Sequence, residues 1–264
     1  MIIDAHVHIK KKSWKVNDGT YSRLLEELND AKVDKALVIA VHNKSLYSGY
    51  DTKELINKFS SDKRLVLIGS IDILNYDKAY LHFIERCLKD GAIKGIKIYP
   101  GYQHIYLNDK RAVPVYKLCE KYGSTLVVHT GDTYKVYPGS KVKYSHPLHV
   151  DEIATDFPKM NIVMAHLGNP WTVDGAEVIY KNDNVYADIS GFLTDFESEA
   201  YNQLVITKIN QAIAYAGADK LLFGSDWPII SIKRYLQFML SNLKLGNEAK
   251  EKFLFKNAKK LFKL

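Results

Sequence analysis

The densest chemistry near the start of the chain is the run Asp4-Ala5-His6-Val7-His8. On a strand, residues two apart share a side, so Asp4, His6 and His8 are expected to face together. Two imidazoles side by side in an apolar interior are costly unless something uses their lone pairs. A divalent metal does so; a hydrogen-bonded pair of core histidines is the bland reading of the same motif. Other polar residues end short apolar runs further on: His129, His166, and Asp226 after Ser225. Four histidines and one aspartate at strand ends would meet at one mouth. Imidazole nitrogen and carboxylate oxygen suit zinc, with manganese or iron as weaker fits.

The elements that must position these residues follow from periodicity. Eight β-branched apolar runs recur, at 2–8, 33–41, 65–71, 93–98, 125–129, 162–166, 185–189 and 221–226. Runs of this length read as buried parallel strands. Amphipathic stretches lie between them, at 21–31, 79–89, 113–121 and 204–216. Eight strand–helix units give about one per 33 residues, the spacing of a (β/α)8 TIM barrel, in which functional residues sit at the C-terminal ends of strands. A doubly wound sheet usually shows a glycine-rich turn after its first strand; here that strand ends in the two histidines. No linker or low-complexity tract divides the chain, so residues 1–264 are expected to form one barrel domain. The segment 248–264 reads as a basic amphipathic helix, with Phe253, Leu254, Leu261 and Phe262, packed across the barrel bottom or flank rather than on a membrane.

Composition narrows the partners. The formal charge is +7, yet only five of the 37 basic residues are arginines. Arginine dominates planar phosphate and base recognition, and the lysines are scattered apart from a cluster in the last helix. With no finger, RNP or helix-turn-helix pattern, the lysines read as a solvated coat and not as a nucleic-acid surface. No apolar run approaches the roughly 20 residues of a membrane helix. Met1 leads directly into an apolar strand, without a basic-then-apolar leader, so a cytoplasmic location is expected. Cys87 and Cys119 read as buried reduced thiols. The expected partner is a small-molecule substrate, with self-association left open.

Taken together, Asp4-x-His6-x-His8, His129, His166-Leu167-Gly168 and Gly224-Ser225-Asp226-Trp227-Pro228 resemble the amidohydrolase superfamily. The nearest branch is the amidohydrolase-related group of aminocarboxymuconate-semialdehyde decarboxylase and its hydrolase and lactonase relatives. Gly95-Ile96-Lys97-Ile98-Tyr99-Pro100 and the closing Asn257-Ala258-Lys259-Lys260-Leu261-Phe262 extend the likeness over nearly the whole chain. The resemblance implies that His6, His8 and His129 bind the metal, that Asp226 is the fourth ligand and a proton acceptor, and that His166 is an acid/base or oxyanion-stabilising group. In binuclear members a lysine on the fourth strand is carboxylated and bridges two metals. The branch resemblance implies one metal, with Lys97 a substrate-facing cation or a structural residue.

Such machinery hydrolyses an amide, ester or lactone. A related arrangement hydrates a conjugated acid and releases CO2, and a barrel that binds metal or ligand without turnover is the third reading. A decarboxylase should want cations at its mouth; Lys97 is one, and no strand-end arginine joins it. Trp171 is a candidate pocket wall. Asp188 and Ser190 end the seventh strand, where they could touch substrate or hydrogen-bond the metal ligands. His42 is split between wall and bystander, while His82, His104, His146 and His149 read as surface or loop residues, beside Tyr106 and a helix N-cap at Asp151.

Overall fold

The computed structural model describes residues 1–11, 18–42, 48–134, 137–194 and 198–264. Its eight strands are β1 (Ile3–Val7), β2 (Lys35–Ile39), β3 (Leu65–Ser70), β4 (Gly95–Ile98), β5 (Thr125–His129), β6 (Ile162–Ala165), β7 (Val185–Asp188) and β8 (Leu221–Leu222). They pair in parallel and in sequence order. The ring closes through single hydrogen bonds between the first and last strand regions. Ala5 N donates to the Phe223 carbonyl, Asp226 N to that of His6 and His8 N to that of Trp227, each at 2.8 Å. The expected (β/α)8 barrel is therefore what the chain forms.

One face of each strand fills the barrel. Ile3, Ala5, Leu37, Ile39, Val66, Ile68, Tyr99, Val127, Val163, Ala165, Tyr186 and Leu222 form a buried inner cluster. The alternate residues, among them Val38, Ile96, Val128, Met164 and Phe223, join the larger cluster under the helices. Those helices are α1 (Tyr21–Ala31), α2 (Thr52–Phe59), α3 (Lys78–Lys89), α4 (Val113–Tyr122), α5 (Leu148–Asp156), α6 (Thr172–Lys181), α7 (Glu199–Ala216) and α8 (Ile232–Asn242). The chain ends in α9 (Asn247–Glu251), a π-helical turn and α10 (Asn257–Phe262). Ala258, Leu261 and Phe262 belong to the inner cluster, so this last segment closes the barrel bottom. Gly95 permits that closure: a Cβ there would stand 2.6 Å from the Thr125 carbonyl and 3.3 Å from the Phe262 ring.

Several boundaries differ from the periodicity reading. α7 begins at Glu199 and not near 204, because the Ser198 side chain accepts from Tyr201 N and caps it. α2 is announced by a capping box, Asp51 and Glu54 each bonding the other's backbone N–H. Asp151 is not an N-cap: α5 starts at Leu148 behind Pro147, and Asp151 sits in its first turn, bonded to Lys181. β8 is two residues long, because from Phe223 to Trp227 the chain serves the closure to β1. Cys87 and Cys119 are buried and free, and burial pushes the Cys119 thiol up to about 12. Among the described residues no helix is long and apolar enough to cross a membrane.

Candidate metal centre

β1 corrects the simplest reading of its own motif. Between Asp4 and Val7 the strand carries one residue more than β2 does between Ala36 and Val38. The extra residue of a bulge reverses which side the following residues face. Ile3 and Ala5 therefore point into the barrel, whereas Val7 and Ile9 pack outward. His6 and His8 face inward as expected; Asp4 does not face with them. Its carboxylate accepts from Ser225 Oγ at 2.6 Å, Ser225 N at 3.0 Å and His6 N at 3.1 Å, tying β1 to the Asp226 turn. Burial pushes the Asp4 carboxyl up to about 7 against those hydrogen bonds.

His6 and His8 are held by their Nδ1 atoms. His6 Nδ1 donates to Asp188 Oδ2 at 3.0 Å, and His8 Nδ1 donates to the Ile39 carbonyl at 3.2 Å. In a neutral imidazole this leaves the lone pair on Nε2. Both Nε2 atoms converge on Asp226 Oδ1, at 3.7 Å from His6 and 3.5 Å from His8. An ion about 2.0–2.1 Å from each ligand in tetrahedral geometry would space them about 3.3–3.4 Å apart. The three atoms fit a divalent metal, and the outer hydrogen bonds are of the kind that orient metal-binding histidines. Burial, ahead of the electrostatic effect of the neighbouring His6, lowers the His8 imidazole well below its ordinary value, keeping it neutral. Burial pushes the Asp226 carboxyl up, while His6 and Lys97 pull it down.

His129 lies apart from these three. β5 turns it inward with Val127, and its ring is 5.0 Å from that of His166. Among the described residues it joins neither of the two groups of metal-competent atoms, which are His6, His8, Asp226 and His6, His166, Asp188. Its Nε2 donates to the Asp132 carbonyl at 2.9 Å, so Nδ1 keeps the lone pair.

The second group is a hydrogen-bonded cluster. Ser190 Oγ donates to Asp188 Oδ1 and lies 3.1 Å from His6 Nδ1 and 2.9 Å from His166 Nδ1. His166 Nδ1 also donates to the Ser190 carbonyl at 3.0 Å, and His166 N to Asp188 Oδ1 at 3.0 Å. Of the two roles open to Asp188, touching substrate or hydrogen-bonding a metal ligand, its contacts match the second: both oxygens are bound to protein and it has no exposed surface. Burial raises its carboxyl, but the electrostatic attraction of the His6 ring and the hydrogen bond from it outweigh this and hold it below the usual carboxylate range. His166 reaches the mouth by an unexpected route. β6 stops at Ala165, and a left-handed backbone, φ 67°, redirects a side chain that alternation would send outward. Burial lowers its imidazole to about 3, followed by the repulsion of His6. Asp226 is also left-handed, at φ 62°. Such conformations persist where surrounding structure enforces them, and they cluster at functional sites. Gly191 leaves room for both: a Cβ there would stand 2.9 Å from His166 Nδ1 and 3.2 Å from Asp226 Oδ2.

Lys97 points inward from β4, fully buried, and Nζ has no hydrogen-bond partner among the described residues. It stands 5.2 Å from the Tyr99 ring centre. Burial brings the amine down to about 8, against the pull of Asp188 and then Asp226. A second buried ammonium escaped the sequence reading. Lys10, 2 % exposed, continues the alternation of His6 and His8; burial lowers it to about 8 as well, against the pull of Asp226. The HxHxK spacing was the available signal. Tyr102 was also missed, its ring 4.9 Å from His129. Trp171 is partly buried, and its described ring contact is with His146 at 4.7 Å. His82 and His104 are exposed, the latter stacked on Tyr144 at 5.6 Å.

Comparison with known proteins gives the family and the fold. The family model described as amidohydrolase matches residues 3–264. No curated protein matches the sequence. Among solved structures, an uncharacterised TIM-barrel protein of Bordetella bronchiseptica is 21% identical with a TM-score of 0.79, over 98% of this chain and 97% of that one. A probable 2-pyrone-4,6-dicarboxylic acid hydrolase of Acinetobacter baumannii is 15% identical with a TM-score of 0.70, over 100% and 99%. A 5-carboxyvanillate decarboxylase of Sphingomonas paucimobilis is 14% identical with a TM-score of 0.71, over 100% and 99%. At these identities the likeness is one of fold.

Proposed function

Because the chain belongs to the amidohydrolase family, we propose that it is a metal-dependent hydrolase of a small-molecule amide, ester or lactone. The observation that carries this reading is the convergence of His6 Nε2, His8 Nε2 and Asp226 Oδ1, with His166 beside them. His129 is the proposed further ligand, through the Nδ1 that its bond to Asp132 leaves unprotonated. Zinc, the ion we propose, supplies Lewis acidity and lowers the pKa of water to about 7. Asp226 orients the attacking water and takes its proton, a task suited to a carboxyl raised by burial. His166 has its Nδ1 occupied by Ser190, so Nε2 is the atom that gives or takes a proton on the substrate side. Ser190 and Asp188 hold the two imidazoles in these orientations.

A second reading, nonoxidative decarboxylation of an unsaturated acid, is favoured by Lys10 and Lys97, two buried cations near Asp226. Elemental analysis tests what the readings share. Purified protein should carry about one divalent ion per chain, as expected for a mononuclear site, and His6→Ala with His8→Ala should lose it. Full retention by that double variant would remove the site. A screen of lactones, amides and unsaturated acids separates the two reactions by acid production or CO2 release.

A further inference from the structure

Exposed apolar side chains scattered singly are ordinary, whereas a group of them on one face marks a surface that something covers. Among the described residues nine large apolar side chains stand exposed, and five of these lie on two adjacent helices: Val173 and Tyr180 on α6, and Tyr201, Leu204 and Tyr215 on α7. The two helices meet at the ring pair Tyr180–Tyr215, 6.0 Å between centres, where Tyr180 is 67% and Tyr215 52% exposed. α7 accounts for the placement. It buries Val205, Ile209 and Ala212 on its inner side, yet leaves Tyr201, Leu204, Gln211 and Tyr215 exposed, with Lys208 half-buried between them. Steps of three and four residues are those of a helix that lays a seam against a second helix.

Charge narrows what fits this face. The chain carries +7 overall, but the charged residues of α6 and α7 are only Asp174, Glu177, Lys181, Glu199 and Lys208. Four of these five are engaged within the chain. Asp174 stands 3.6 Å from His146, Glu177 accepts from the Tyr215 hydroxyl at 2.6 Å, Lys181 pairs with Asp151 at 2.7 Å, and Lys208 Nζ donates to the Pro170 carbonyl at 3.3 Å. An acidic partner or an anionic membrane would call for free cations, and both lysines are taken. A copy of the same chain can meet this face without setting like charges against each other, although the molecules as wholes repel.

We infer that the outer face of α6 and α7 is the contact surface for a second copy of this chain, in a two-fold dimer. In such a contact each patch meets itself, residue i on j and j on i. Tyr201 and Tyr215 stand about 21 Å apart along α7, with Lys208 midway. Antiparallel packing of α7 on its copy, about an axis at Lys208, sets Tyr201 and Leu204 against Tyr215 and Gln211 of the copy. The Lys208 ammonium is drawn off that axis toward Asn169 and Pro170. Taking about 200 Å² for a whole tyrosine, the five apolar side chains leave on the order of 400 Å² uncovered. With the polar residues between them, the face reaches the roughly 600–800 Å² per partner of a stable interface. The inference does not depend on the metal-centre reading.

Sedimentation equilibrium of the full chain tests it. The mass should be that of two chains, falling toward one on dilution. Leu204→Lys and Tyr215→Lys change exposed helix positions, and lysine is a good helix former. Each should keep its circular dichroism while the dimer dissociation constant rises about tenfold or more, as for a truncated interface anchor. Added sodium chloride should leave the dimer intact or tighten it, because it screens the repulsion between the two chains. A single-chain mass up to about 100 μM overturns the inference and leaves the face to a different partner. A dimer unchanged in either folded variant overturns it too, by placing the contact elsewhere, as does a dimer that salt dissociates, by making the contact ionic. Should either variant fail to fold, Gln211→Lys on the same stripe takes its place.

Discussion

At the residue scale, His166 bears the sharpest expectation. Its Nδ1 is held by Ser190, and it lies outside the group formed by His6, His8 and Asp226. Removing it should therefore leave the metal in place. Asparagine is the suitable replacement, because it tolerates the left-handed backbone that His166 adopts. His166→Asn should keep the metal content and fold while turnover falls about 10²–10⁴-fold, the usual contribution of a positioned acid/base group. Loss of metal in this variant would make His166 a ligand, and full activity would make it structural. Of the site, His6, His8 and Asp226 were legible in the sequence because strand periodicity and chain order expose them. Lys10 was missed: the HxHxK spacing puts it on the side of His6 and His8, but nothing in a lysine's type marks it as buried until the strand is placed.

At the element scale, β1 shows how a correct inward pair can come from an incomplete argument. Plain alternation groups Asp4 with His6 and His8, and the bulge separates them. No residue type in Asp-Ala-His-Val-His marks the bulge, because it is set by the pairing of β1 with β2 and with the Phe223–Trp227 region. A second element-level device lies outside the site. The Ser231 side chain makes no capping bond at the start of α8; Glu27 of α1 accepts instead from Ile232 N at 3.1 Å and Ser231 Oγ at 3.0 Å. Glu27 is buried, and Arg23 pairs with its other oxygen at 2.8 Å. Glu27→Ala should cost about 1–3 kcal/mol in denaturant unfolding, the penalty for stranding buried donors. Glu27→Gln, which keeps an acceptor, should cost less; equal stability of the alanine variant would remove this role.

At the scale of the whole molecule, the barrel concentrates buried histidines at one end, and that sets its response to acid. Burial lowers His42 to about 4 from an ordinary 6.5, with Asp72 pulling the other way. A depressed imidazole contributes stability that is present above the unfolded value and lost as pH falls through the folded one. His8, His129 and His166 are lowered too, with burial the first cause in each, so their contributions share that sign. Carboxyls raised by burial, Asp4 to about 7 among them, contribute with the opposite sign, so the histidine contribution to the melting temperature is read against a variant and should be lost between about pH 6.5 and pH 4. His42→Phe, which keeps a ring over Tyr99, should lose less than the unaltered chain over the same window. An identical profile for the variant would show that His42 is not depressed by the fold.

The sequence by itself determined the eight strand–helix units, the polar residues that end four of the strands, and the amphipathic last segment, though not whether that segment covers the barrel's bottom or its flank. These follow from apolar periodicity, which is local and survives without knowledge of partners. Tertiary structure alone decided which ring nitrogens face the mouth, that Asp188 braces His6 and His166 through Ser190, and that His129 stands apart from the other three expected ligands. It also decided that Lys97 is left without a hydrogen-bond partner among the described residues. Those outcomes depend on contacts between residues as far apart as His6 and Asp226, and on left-handed backbone at His166 and Asp226. Neither the distance nor the φ angle is written in a residue's type; both arise only when eight strands close into one ring.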